Sequence, residues 1–134
     1  MKIHVCEESV RYIETDRMQV AHHASYLSWF EIGRTSLLRH SGFTYRSMEE
    51  NGSSLPVVEY SCRLMKSAGY DDRLRIETSI ESLRSRTIVF AYRILKDGLL
   101  IVEGKTKHVC VDGEKKPHRL PNRVIEALRE YIRE

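Results

Sequence analysis

Apolar and polar positions alternate most cleanly over residues 73–83. Leu74, Ile76, Thr78 and Ile80 point one way there, and Arg73, Arg75, Glu77 and Ser79 the other. A period of two is the signature of a strand with one buried face. The next run, residues 85–96, places Ile88, Phe90, Tyr92 and Ile94 on a single face. Residues 55–66 and 99–111 read as two further strands, and 3–13 as a first strand that is irregular near Glu7-Glu8-Ser9. Asp97-Gly98 marks a tight hairpin between the last two strands, because both central positions of such a turn need positive φ.

Between the first and second strands the period changes to that of a helix. Tyr26, Phe30, Gly33 and Leu37 form a stripe flanked by Leu27, Trp29 and Leu38, predicting a largely buried helix over residues 24–40. Ser41-Gly42 stops it, glycine being favoured just past a helix end. A short helical or looped piece over 44–50 ends at Asn51-Gly52, and Asp112-Gly113 marks another turn. Pro121 opens a last helix to Tyr131, whose apolar side is Val124, Ile125, Leu128, Tyr131 and Ile132. The order of strand, long helix, four-strand meander and terminal helix predicts an α+β protein, with an antiparallel sheet of about five strands layered on the long helix.

Composition narrows the class. The 134 residues, 41% hydrophobic and 31% charged, suit a single globular domain. No apolar run approaches the roughly 18–20 residues of a membrane span, and the first residues lack the apolar core of a secretory signal. Cys6, Cys62 and Cys110 are odd in number and have no metal-like spacing, which favours a reducing cytoplasm. The net charge of +3 is spread among interleaved acids and bases, so no nucleic-acid partner is expected. A phosphate-bearing small molecule is compatible with it.

Candidate chemistry is concentrated in residues 12–31. Asp16 falls in the connection leading to a helix that begins near His23 or Ala24. An Asp before a helix is often only a cap or turn residue. It is also a carboxylate placed beside free N–H groups and the positive end of a helix dipole, an arrangement suited to attack on a carbonyl. No Gly-x-Ser-x-Gly elbow and no Gly-rich phosphate loop is present. His108 and His118 have no ligand-like spacing, so no metal is expected.

The run from Glu14-Thr15-Asp16 through Met18, Val20, His23 and Tyr26 to Trp29-Phe30-Glu31 resembles a motif of hot-dog acyl-CoA thioesterases of the 4-hydroxybenzoyl-CoA thioesterase and YbgC type. In that family it reads E-T-D-x-M-G-x-V-x-H-x-N-Y-x-x-W-F-E. Residues 55–66, Tyr70-Asp71-Asp72, Ser85-Arg86-Thr87 and 108–113 extend the similarity from about Val10 to Leu120. The resemblance implies a hot-dog fold and hydrolysis of acyl-CoA to free acid and CoA, without metal or organic cofactor. It implies Asp16 as nucleophile or general base, and the His23 backbone N–H as oxyanion donor. Gln19 stands where the family has Gly, so it must either adopt a strained positive φ or avoid that conformation. Ser25 replaces the usual Asn.

Further expectations follow from the resemblance. Met18, Tyr26, Phe30, Val58 and Met65 are expected to line an apolar acyl tunnel. Arg63, Lys66, Arg84 and Arg86, near strand ends, are expected to meet the CoA phosphates. Glu31 is assigned to an ion pair with Arg34 or with a nearby strand, although another hot-dog branch uses a carboxylate on this helix. A homodimer or homotetramer is implied. Acyl carrier protein is an alternative carrier of the substrate, and a non-catalytic acyl-binding or scaffold subunit is the reading from a different class.

Overall fold

Two of the four strand pairings join consecutive runs and two join distant ones, so the meander holds three strands rather than the four that the pattern predicts. In the computed structural model, which describes residues 2–133, the runs form one antiparallel sheet. Its strands are β1 (His4–Ser9), β2 (Val57–Leu64), β3 (Arg73–Leu83), β4 (Thr87–Lys96) and β5 (Leu99–Val109), in the spatial order β1-β3-β4-β5-β2. The β4–β5 hairpin turns at Asp97 (φ 50°) and Gly98 (φ 77°), the positive-φ pair that its sequence predicts. Leu74, Ile76, Thr78 and Ile80 are fully buried, so the alternation of β3 names its core face correctly.

The first strand is shorter than its pattern suggests. It ends at Ser9 because Val10 turns inward: its N–H donates to Asp72 O (2.9 Å) and its carbonyl accepts from Asp71 N–H (2.9 Å). A single 3-10 turn, Tyr12–Glu14, follows.

Helix α1 (His23–His40) lies across the sheet and is about 27 Å long at 1.5 Å per residue. Two glycines allow the close approach. A Cβ on Gly33 would lie 2.5 Å from Thr78 Oγ1 and 2.9 Å from Ile76 Cγ2, and one on Gly104 would lie 2.6 Å from the Phe30 ring. Phe30 stacks on Tyr92 with centroids 4.4 Å apart and 7° between planes. The helix thus meets β1, β3, β4 and the Gly104 position of β5, which is a sheet wrapped on a central helix. α2 (Tyr45–Glu50) is capped by Thr44 and Ser47, each bonding the other's backbone N–H. α3 (Asn122–Leu128) buries Val124 and Leu128, and Ile132 then bridges Ile80 where β1 no longer covers β3.

Candidate active site

Asp16 sits in a tight turn that closes on itself. Thr15 bridges Ala21, Asp16 N–H donates to Val20 O (2.8 Å), and Gln19 N–H donates to Asp16 O (3.0 Å). Inside the turn, Asp16 Oδ1 accepts from Met18 N–H (2.8 Å) and the carboxylate stays exposed. Gln19 adopts φ 64°, so it takes the left-handed conformation that its family's glycine would take, with the strain that brings to a residue with a Cβ. The return arm is pinned to the fold by Ala21 N–H donating to Ala68 O (2.8 Å) and by a bridge from Val20 to Gly69.

That arm runs directly into α1, whose first helical residue is His23 and whose N-cap is His22. His22 N–H donates to Glu14 O (3.1 Å), and the Ser25 hydroxyl donates to the same oxygen (2.9 Å). Ser25 therefore ties the helix start to the 3-10 turn, and no side chain caps the helix. Among the described residues no backbone acceptor outside the helix faces the N–H of His23 or Ala24, and both residues are exposed. These are donors of the kind that attract a developing negative charge.

The remaining expected residues divide. Tyr26 and Phe30 belong to the core rather than to an open tunnel, with 2% and 0% exposure. The Tyr26 hydroxyl accepts from Ala68 N–H (3.4 Å), and Phe30 is held between Tyr92 and Gly104. The reason is geometric: a helix gives the sheet one face, and both residues lie on it. Val58 does line a groove of about 420 Å³, together with Ala24, Leu27, Ser28, Glu31 and Arg34 of α1 and Val57 and Tyr60 of β2. Met18 is exposed on the Asp16 turn, and Met65 is half-exposed just beyond β2. Within one chain Asp16 borders a separate surface depression with Tyr12, Ile13, Thr15 and Arg17.

The four basic residues do not form one patch within a chain. Leu64 pairs with Val102 and Thr87 with Val109, so Arg63 and Lys66 lie at one end of the sheet and Arg84 and Arg86 at the other. Arg63 and Lys66 share the end of the Asp16 turn, because the chain just beyond them, at Ala68 and Gly69, holds that turn.

Glu31 makes no ion pair with Arg34. Arg34 is 7% exposed, its Nε donates to the Tyr45 hydroxyl (2.8 Å), and its buried Nη1 has no partner. Burial works against its charge, but the neighbouring oxygens of Tyr92 and Tyr45 more than offset this and raise its pKa. From Tyr92 a buried relay continues to Thr106 (2.6 Å), His108 Nε2 (2.8 Å) and, through His108 Nδ1, Leu55 O (2.9 Å). A carbonyl only accepts, so Nδ1 carries the proton, Thr106 donates to Nε2, and Tyr92 donates to Thr106. Burial drops the His108 pKa to about 4 and pushes that of Tyr92 up to about 12, so both stay neutral near pH 7. Sequence reasoning passed over this relay. Its only trace is the alternation of Gly104, Thr106 and His108 on the inward face of β5.

One five-stranded antiparallel sheet wrapped on a long helix is the hot-dog architecture. The chain belongs to the thioesterase-like superfamily, whose sequence profile matches residues 10–128. It is 38% identical to YneP of Bacillus subtilis, over 81% of this chain and 79% of that one. It is 33% identical to the acyl-CoA thioester hydrolase YbgC of Escherichia coli, over 90% of this chain and 92% of that one. Among solved structures, the DHNA-CoA thioesterase of Staphylococcus aureus superposes with a TM-score of 0.92 at 31% identity, covering 97% of this chain and 91% of that one.

Proposed function

We propose that this acyl-CoA thioesterase hydrolyses its substrate with Asp16 as the reacting carboxylate and the His23 N–H as oxyanion donor. The observation that carries the reading is the continuity of turn and helix: the arm returning from Asp16 becomes the first turn of α1, whose leading N–H groups are uncapped. In the general-base route Asp16 takes a proton from water as the water oxygen bonds to the carbonyl carbon. Negative charge moves to the carbonyl oxygen, which the His23 N–H stabilises. When the carbonyl re-forms, the C–S bond breaks and the CoA sulfur leaves to be protonated. In the nucleophilic route the carboxylate itself attacks, a mixed anhydride replaces the thioester, and water then opens it. Single turnover in heavy-oxygen water separates the two, since only the anhydride route can leave label in Asp16.

The reading extends to a homodimer or homotetramer. Every residue of β2 is exposed, including Val57, Val58, Tyr60 and Leu64, and its outer edge has no strand beside it among the described residues. Such an edge invites a strand from a second copy. Antiparallel pairing there would close the α1–β2 groove and bring the partner subunit's Arg84 and Arg86 toward the Asp16 end of this chain, alongside Arg63 and Lys66. CoA phosphates then have basic residues on both sides. A monomer mass by light scattering at micromolar concentration would remove this part of the proposal. Acyl carrier protein thioesters could use the same chemistry, and a comparison of kcat/KM between the two carriers ranks them.

A second reading has one observation in its favour. Glu31 lines the groove beside Ala24, whereas Asp16 borders its own depression. The deciding experiment is thiol release by Asp16→Asn and Glu31→Gln proteins. Asp16→Asn is expected to lose on the order of 100-fold or more in kcat with its fold intact, and Glu31→Gln less than tenfold. The reverse ranking would move the chemistry to the helix. In the same assay His23→Ala keeps its N–H and most turnover, while His23→Pro, tolerated in a first helical turn, loses the donor and about 100- to 1000-fold.

A further inference from the structure

The Asp16 turn is carried between two legs of chain, and one short segment holds both. That segment, residues 68–72, lies in the connection from β2 to β3. On the incoming leg, Val10 N–H donates to Asp72 O and Asp71 N–H donates to Val10 O, each at 2.9 Å. Tyr70 meets Tyr12 of the 3-10 turn edge-on, with ring centroids 5.7 Å apart. The outgoing leg is held at Ala21, whose N–H donates to Ala68 O (2.8 Å), and at Val20, which bridges Gly69. Val20 O in turn accepts from the Asp16 N–H.

A single carboxylate shapes the segment. Asp72 Oδ2 accepts from Gly69 N–H (2.7 Å) while Asp72 N–H donates to Gly69 O (3.1 Å), which folds residues 69–72 into a tight loop. The same Oδ2 takes the Lys96 ammonium at 2.8 Å, and Lys96 is the last residue of β4, so the pair fastens the loop to the sheet. Gly69 lies against both sides of this joint. A Cβ on it would stand 3.5 Å from Asp72 Oδ2 and 3.6 Å from Gln19 O. Burial works against the Asp72 charge, but Lys96 and the Gly69 N–H more than offset this and hold its carboxyl below the ordinary range. Both side chains are partly exposed, so the ion pair adds little to overall stability. Its place in the chain of contacts gives it another use.

We propose that Asp72, anchored by Lys96, is a positioning residue of the hydrolysis: it fixes Gly69, Gly69 fixes Val20, and Val20 fixes the Asp16 turn against the start of α1. The inference rests on Asp16 as the reacting carboxylate. Asp72 acts without touching substrate. A turn closed by a few backbone bonds shifts when its support loosens, and a misplacement of about 1 Å can cost about 100-fold in rate.

The test is thiol release from acyl-CoA by Asp72→Ala, Asp72→Asn and Lys96→Met proteins, each compared with the parent, and by Asp72→Ala and Lys96→Met placed in Asp16→Asn protein. Asp72→Ala is expected to lose about 10- to 100-fold in kcat, with KM moved by less than about threefold. Asp72→Asn keeps an oxygen for the Gly69 N–H and should recover most of that loss, and Lys96→Met should fall between the two. In the Asp16→Asn background Asp72→Ala should cost less than about twofold more, because a residue that acts through Asp16 then has nothing left to position. A general loss of stability would lower both backgrounds alike. If Asp72→Ala does not fold, Lys96→Met carries the same comparison from outside the loop. Amide hydrogen exchange gives a second readout: in the folded variants the Asp16 and Gln19 N–H groups should exchange at least about tenfold faster, while those of Ile76 and Phe90 in the sheet stay protected. Full kcat in Asp72→Ala protein, equal losses in both backgrounds, or unchanged exchange at Asp16 overturns the proposal and leaves the Asp16 reading standing. Full turnover by Asp16→Asn removes that reading and the proposal with it.

Discussion

Phe30 lies flat on Tyr92 with no solvent exposure, while the 3-10 turn and the Asp16 turn after it show Ile13 and Met18 to solvent at 83% and 82%. Both regions are built on α1 or lead straight into it, yet they are completed differently. The helix–sheet interface is finished within the chain: Gly33 seats on Thr78 and Ile76, and Phe30 fills the space above Gly104. Around the turn and along β2 the apolar side chains Ile13, Met18, Val58 and Tyr60 are largely exposed. The first region is a closed core and the second is where we propose the chemistry to lie, so substitutions should separate along that line. Phe30→Ala is expected to cost about 3–5 kcal/mol, by lost burial and by the cavity left between two immobile neighbours. Ile13→Ala, at a surface position, should stay within about 0.5 kcal/mol. Urea unfolding of the two variants checks the contrast, and similar midpoints would erase it.

What the sequence disclosed follows the same division. Local patterns were readable: the β3 alternation and the Asp97-Gly98 hairpin are decided by neighbours a few residues away. Features needing a distant partner were not. The pattern of β1 runs past Ser9, whereas the strand ends there because Val10 pairs with Asp71 and Asp72, far along the chain. Tyr26 and Phe30 lie on the apolar stripe that the sequence shows, but that stripe faces the sheet, and the groove lies on another side of the helix. Arg63 and Arg86 look alike in sequence, and only the strand order puts them at opposite ends of the sheet. Spacing offers Arg34 as one partner for Glu31, whereas the hydrogen-bond partner of Arg34 is Tyr45, from α2. The adjacency of Asp16 to the helix start at His23 is legible through the family motif, whose residues are close enough in sequence to be recognised together.

Acid should probe the inner region before the outer one. His108 is neutral and fully buried, with its pKa moved from the ordinary 6.5 to about 4 by burial. The unfolded chain then binds a proton that the folded chain refuses, so stability is full above about pH 6.5 and falls as pH drops toward 4. The loss levels off below the folded value, with a ceiling of about 3 kcal/mol for this group. His4, also lowered, chiefly by burial, acts in the same direction. A His108→Gln variant isolates the contribution, because its unfolding free energy should slope less between pH 6.5 and 4 than that of the parent. Parallel slopes would mean that the buried imidazole does not govern the acid limb.

The smallest expected effect lies in the turn itself. Gln19 at φ 64° carries a Cβ where the backbone favours none, a strain of about 1–2 kcal/mol. Gln19→Gly removes it but gives the unfolded chain more freedom, which returns roughly 0.5–1 kcal/mol of the gain. The net prediction is a protein more stable by up to about 1 kcal/mol. Its kcat should stay near that of the parent, because the hydrogen bonds that shape the turn, Asp16 to Val20, Gln19 to Asp16 and Met18 to the Asp16 carboxylate, use no Gln19 side-chain atom. Thermal unfolding and thiol release measured on the same preparation separate the two statements. A variant that is more stable but slower would mean that the strained residue holds Asp16 in a geometry the relaxed turn abandons, and the boundary between a stabilising interior and a reacting surface would then pass through Gln19.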